Sequence, residues 1–164
     1  MAKSDFRFKT SVRVRWMECD AQGIVYNGAY LGYLEVGQAE YYRNLGFAIY
    51  VIPQSGYFDF AVAKSTQEFK APAKVDEIIE LYVRVSHIGT ASLVLHLEIY
   101  PENSSRMLTH IETVYVGYDS EKERSKPVPD AIRQLVTHYE ETGEVLPIEQ
   151  FPELAKATEF RNNQ

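Results

Sequence analysis

The chain has 164 residues, a formal net charge of −6 and a sequence pI near 5.3, so no overall basic field is present to draw nucleic acid or an anionic membrane surface. Apolar residues make up 45% and charged residues 24%, the balance of one globular domain large enough to bury a core. No apolar run approaches the roughly 18 residues that a membrane span needs, no signal-peptide pattern opens the chain, and the lone Cys19 cannot form an internal disulfide. The expected location is therefore the cytoplasm.

Twelve tyrosines and eight phenylalanines favour strands and aromatic-lined pockets. Residues 6–16 predict the first strand, with Phe6, Phe8, Thr10, Val12, Val14 and Trp16 on one face and a charged series on the other. A helix is predicted over 28–45, with Asn27 as N-cap and Gly46 at the position that follows the last turn. Its apolar residues spread from Ala29, Tyr30, Tyr33 and Leu34 round to Leu31, Val36, Ala39 and Tyr42, so it should be largely enclosed. Gly32 and Gly37 each cost roughly 1 kcal/mol of helix propensity, a cost tolerated where a sheet comes close to the helix.

Four strand patterns follow. Residues 58–70 carry Phe58, Phe60 and Val62, and 77–88 align Ile79, Leu81, Val83 and Val85. Residues 91–100 align Leu93, Leu95, Leu97 and Ile99, and 106–118 carry Leu108, Val114, Val116 and Tyr118 in one register. The short breaks between them predict antiparallel neighbours. A closing amphipathic helix fits 130–141 and ends at Gly143, and the tail over 142–164 is weakly patterned. One domain, 1–164, with its core over about 6–141, is expected. The order predicts an α+β fold of the hotdog kind, an antiparallel sheet wrapped around a long central helix.

The stretch ECDAQGIVYNGAY, residues 18–30, sets Asp20 in a loop of small and apolar residues just ahead of the helix. An aspartate there is commonly a turn or capping residue. A helix start also offers free N–H groups and a partial positive charge, and Gly23 lets the backbone approach a substrate. That combination of carboxylate and donors suits acyl transfer.

The segment VRVRWMECDAQGIVYNGAYLGYLEVGQAEYYRNLGF resembles the opening of the 4-hydroxybenzoyl-CoA thioesterase and acyl-CoA thioesterase family, and FKAPAKVDEIIEL and KPVPDAIRQLV resemble later family segments. The likeness runs from about Phe8 to about Tyr139. It implies a hydrolase that cleaves acyl-CoA to free acid and coenzyme A without a cofactor. Asp20 would be the carboxylate, as nucleophile or general base, and the backbone amide of Asn27 would hold the thioester oxygen. Many relatives carry His-Ala-Asn-Tyr where this chain has Asn27, Gly28, Ala29 and Tyr30, so that histidine is absent. Tyr26 and Tyr30, with Tyr33, are candidates for an acyl pocket, although core packing is the expected use of at least one. Family sheets join edge to edge, which implies a homodimer or homotetramer.

Other residues carry less. Glu35 on the central helix is a rival base or helper, weighed against a salt bridge or a bond to strand backbone, and Glu40 lies on the same helix. Cys19 has no basic neighbour in sequence and reads as a small buried hydrophobe. His87, His96, His110 and His138 lack metal-ligand spacing, so no metal is expected. Lys64, Lys70, Lys74, Arg84 and Lys126 are candidates for the phosphates of coenzyme A. The competing functions are an acyl-CoA binding or sensing module without catalysis, for which no helix-turn-helix precedes the first strand, and a hotdog dehydratase or hydratase, for which no His/Asp pair is visible.

Overall fold

The computed structural model describes residues 1–159. Chain order is β1 (Phe8–Arg13), α1 (Ala29–Asn44), β2 (Phe60–Phe69), β3 (Ile78–Ile88), β4 (Ser92–Pro101), β5 (Thr109–Asp119), the short β6 (Arg124–Ser125), α2 (Asp130–Thr142) and α3 (Pro152–Thr158). The strands form one antiparallel sheet in the order β1-β3-β4-β5-β2, with β6 beside β5. The sheet curls around α1, the hotdog arrangement that the sequence pattern predicts.

Alternation in β3 and β4 builds the concave face. Ile79, Leu81, Val83 and Val85 lie beside Leu93, Leu95, Leu97 and Ile99, all essentially inaccessible to water. Tyr30, Tyr33, Leu34, Gly37, Tyr41 and Tyr42 of α1 are buried, while Leu31, Gly32 and Glu35 leave an open strip. Of the two helix glycines only Gly37 meets the sheet: a Cβ there would lie 3.0 Å from Val83 Cγ2 and 3.2 Å from Leu97 Cδ1, whereas one on Gly32 would meet nothing within 4 Å.

Several elements depart from the sequence expectation. β1 stops at Arg13, and the chain turns through a 3-10 segment, Trp16–Glu18, which leaves Trp16 81% exposed instead of on the buried face. The helix begins at Ala29 with Gly28 as its cap, because the Asn27 side chain accepts from the Gly28 amide (2.9 Å) and not from the amides of the first turn. β2 pairs with β5 and not with its sequence neighbour β3. A bulge between Val62 and Lys64 interrupts it, and Val62 is 61% exposed. In β5 the buried residues are Thr109, Ile111, Thr113, Tyr115 and Gly117, and Val114 and Val116 point to the outer face.

The C-terminal segment is not loose. After the left-handed Gly143, residues 148–158 fold back as a 3-10 turn and α3, burying Leu154 and Ala157 in the main core. It braces the chain that leaves α1: Ile148 Cβ would lie 3.2 Å from a Cβ on Gly46, and the Ala48 amide donates to Thr158 Oγ1 at 2.7 Å.

The two glycines give a paired test. Gly37→Ala gains helix propensity but overpacks against Val83, at a cost of about 1–3 kcal/mol, so it should lower unfolding stability. Gly32→Ala should raise it by about 0.5–1 kcal/mol. Urea titrations of both variants measure the difference.

Candidate active site

The loop from Glu18 to Gly28 is a closed turn docked against the β2–β3 connection. The Asp20 amide donates to Ile24 O (2.9 Å) and the Gly23 amide to Asp20 O (3.0 Å), with Gly23 at φ +75°. Across the gap, Val25 N donates to Ala73 O (3.0 Å), Val75 N to Gly23 O (3.2 Å) and Ala73 N to the Tyr30 hydroxyl (3.2 Å). The 71–77 connection is therefore spent on holding this loop as it crosses from one edge strand to the other side of the sheet.

Glu18 holds the loop from below. It is 8% exposed, and its carboxylate accepts from the Arg15 amide (2.8 Å), the Arg15 guanidinium (2.8 Å to Nε) and the Tyr33 hydroxyl (2.7 Å). Burial pushes its pKa up, but the Arg15 amide, the Tyr33 hydroxyl and the Arg15 charge together outweigh that and hold it below the ordinary glutamate range. Burial and this carboxylate push the Tyr33 phenol well up, so it stays a donor. Glu18 is missing from the residues that the sequence pattern singles out; its signal is a glutamate three residues after Arg15, where its carboxylate can accept from the Arg15 amide.

Asp20 is exposed on top of this support. One carboxylate oxygen accepts from the Gln22 amide (2.8 Å), which fixes the side chain in an Asx turn, and the other has no protein partner among the described residues. Asp20 shares a cavity of about 500 Å³ with Tyr26, Asn27, Tyr30, Phe69 and Lys70. The Asn27 backbone N–H has no acceptor among the described residues and stands just ahead of the 16-residue α1, where unpaired amides and the helix dipole favour negative charge.

Farther along the same helix a second cavity of about 350 Å³ opens between α1, β2 and the chain after α1. Leu31, Leu34 and Phe60 give it apolar walls, and Glu35, Gln38 and Tyr50 give it polar ones. The Tyr50 hydroxyl donates to Gln38 Oε1 at 2.7 Å. Burial, reinforced by Glu35, pushes the Tyr50 phenol up to about 12.

The predicted residues divide between these places. Asp20, Asn27, Tyr26 and Tyr30 come together, with Tyr26 45% exposed and Tyr30 buried. Tyr33 is a core residue bound to Glu18. Glu35 lies in the second cavity, with no hydrogen-bond or ion-pair partner among the described residues, so neither the salt bridge nor the strand-backbone bond weighed for it is present. Glu40 pairs with Arg43. Cys19 Sγ lies 3.7 Å from Arg15 O, and burial, Glu18 and Asp20 all raise its pKa, the reverse of what a reactive thiolate needs. Of the basic candidates, Lys70 lines the Asp20 cavity and pairs with Glu68 (2.8 Å). Arg84 faces Glu140 (3.9 Å) and Lys126 donates to Tyr57 O (3.0 Å), both away from it.

Two of the four histidines come together. His96 and His110 stack with ring centroids 5.4 Å apart and share a 3.1 Å nitrogen–nitrogen contact on the outer sheet face, where His96 also meets Ser86 at 2.9 Å. Burial and the neighbouring His110 hold the His96 pKa down. Adjacent strands bring together what sequence distance separates. Among the described residues no three His, Cys, Asp or Glu side chains are grouped to hold a metal ion, and no helix is long and apolar enough to cross a membrane.

With this geometry in place, comparison with known proteins is decisive at the family level. Residues 14–136 match the thioesterase-like superfamily. The chain belongs to that superfamily. The acyl-CoA thioester hydrolase YbgC of Escherichia coli is 28% identical over 125 residues, spanning 76% of this chain and 92% of the relative. The acyl-CoA thioesterase YbgC of Haemophilus influenzae is 24% identical over 134 residues, spanning 82% and 97%. Among solved structures, a 1,4-dihydroxy-2-naphthoyl-CoA thioesterase from Synechocystis superposes with a TM-score of 0.74 over 79% of this chain and 95% of that one, at 17% identity. That last likeness bears on the fold alone, and the fold is the hotdog.

The Glu18 clamp predicts an acid signature. A carboxyl with a depressed folded pKa stabilises the fold above its unfolded value of about 4.5 and loses that contribution as pH falls through the folded value. Glu18→Gln should cost about 1–3 kcal/mol at pH 7, and the gap from the unmodified protein should close as pH drops below about 4.5. Thermal melts from pH 7 to pH 3 would show it.

Proposed function

We propose that the protein hydrolyses an acyl-CoA to the free acid and coenzyme A, with Asp20 as the reacting carboxylate and the Asn27 amide as the donor for the developing oxyanion. The observation that carries this reading is the single cavity in which Asp20 and an unpaired amide ahead of a long helix share apolar walls. The names of the curated relatives, acyl-CoA thioester hydrolase and thioesterase, support the substrate class. Asp20 either attacks the thioester carbonyl, giving an acyl anhydride that water then opens, or takes a proton from a water that attacks. In both routes the negative oxygen forms beside the Asn27 amide and the sulfur leaves as the coenzyme A thiolate. Incorporation of ¹⁸O from labelled water into Asp20 during a single turnover would mark the nucleophilic route.

Tyr26 and Tyr30 flank the reacting centre, and the acyl group extends towards the 350 Å³ cavity beside Glu35. Lys70 is the basic residue placed to meet the coenzyme A portion. The working unit in this proposal is a homodimer, or a tetramer made from two. Among the described residues β2 is paired on one side only, and its exposed Val62 and Phe69 (61% and 50%) share cavity walls with the exposed Leu31 and Tyr26 respectively. Antiparallel pairing of two β2 edges would satisfy the open backbone groups and cover this strip.

Asp20→Asn separates catalysis from loop-building, because asparagine can still accept from the Gln22 amide. Expected is a fall in kcat of about 10²–10⁴ with little change in melting temperature, while Cys19→Ser keeps most activity. Near-normal kcat in Asp20→Asn, or a lower melting point with activity retained, would assign Asp20 to the turn and make Glu35 the next carboxylate to replace. For the assembly, Val62→Asp should turn a dimer or tetramer into a monomer by light scattering; a monomeric unmodified protein at micromolar concentration defeats the pairing.

A further inference from the structure

We infer that the C-terminal segment, residues 146–158, is a specificity element: it fixes the wall of the 350 Å³ cavity and so sets which acyl groups fit. This rests on the reading of that cavity as the acyl site. The superfamily match ends at residue 136, inside α2, so the segment lies beyond the matched residues.

The connection is physical and short. Ile49 and Tyr50 form one wall of the cavity and belong to the chain that leaves α1. Just before them, Gly46 adopts φ +101° and packs under Ile148, and the Ala48 amide is held by Thr158 Oγ1 at 2.7 Å. Leu154 and Ala157 bury against the same core that includes Phe47, Ile49 and Ile52. On the far side, Tyr50 is tied to Gln38 of α1 at 2.7 Å. The wall is thus held between the central helix and the C-terminal segment, and Tyr50, 45% exposed, sits at its open end. A wall anchored at both ends cannot yield to an oversized acyl group; a wall released at one end can. Selectivity for small differences in apolar size depends on such rigidity, since one methylene is worth only about tenfold to two-hundredfold in kcat/KM.

Ile148, Leu154 and Thr158 touch neither Asp20's cavity nor the acyl cavity, so they are positioning residues acting through Gly46 and Ala48. The test uses the full chain with Thr158→Val, Ile148→Ala and the pair combined, each checked for fold by circular dichroism and thermal melts. Straight-chain acyl-CoAs from acetyl to decanoyl, together with benzoyl-CoA, are assayed for kcat and KM. Non-hydrolysable thioether analogues of the same series are assayed for Kd. Expected is a flattened profile: the kcat/KM ratio between the preferred acyl group and the next larger ones falls about tenfold, through KM and Kd, while kcat for the preferred substrate stays within about threefold. Uniform loss across the series, or an unchanged profile in folded variants, overturns the inference. If the unmodified protein hydrolyses no member, the thioesterase reading fails, and the Kd profile alone then decides the role of the segment. An analogue series that does not bind at all overturns it too.

Discussion

The enclosure of α1 is the constraint from which the rest of the structure follows. This helix carries aromatic and aliphatic residues on most of its circumference, so no single packed surface could shelter it. A sheet that curls round it can, and the curl demands long alternating strands with one apolar face. Gly37 sets how near the helix can lie to β3 and β4. The helix is then fixed as a rigid post, and whatever is attached to its start is positioned with the same precision.

Both candidate cavities use that post. Its start carries the unpaired Asn27 amide, and its open strip carries Leu31 and Glu35. The loop of Asp20 is held by bonds to the chain around it: Glu18 with Arg15 and Tyr33 below, and the 71–77 connection alongside. Asp20 is left on the surface with one oxygen in a turn and the other unengaged. Two carboxylates two residues apart thus differ in surroundings: Glu18 is buried and fully bonded into the loop, and Asp20 is exposed to water.

Much of this was legible in the sequence because it is local. The alternation of β3 and β4, the enclosed helix, the glycine stops at 46 and 143 and the Asp20 loop all rest on neighbours within a few residues. What escaped depends on partners far along the chain. The inward face of β5 is written in Thr109, Thr113 and Gly117 as well as in Ile111 and Tyr115, and its threonines look polar until Ser65 and the packed sheet are beside them. Trp16 fits a strand alternation that a side-chain cap at Glu18 ends early. The pairing of β2 with β5 follows from the errand of the 71–77 connection, which no periodicity encodes. α3 is seven residues long, too short for a helical period to register, and its buried contacts are only Leu154 and Ala157.

The same long-range bonds impose an order on synthesis. β2 leaves the ribosome ahead of β3 and β4 but, among the described residues, pairs with β5 alone, so it waits unpaired until the sheet is nearly complete. Ala48 waits longer, since its partner Thr158 lies 110 residues downstream. A nascent chain can therefore hold the central helix and the loop of Asp20 before it possesses a finished cavity wall. Contacts of such wide sequence separation slow folding, and here they fall beside the wall of the 350 Å³ cavity, so that wall is among the last parts of the protein to mature.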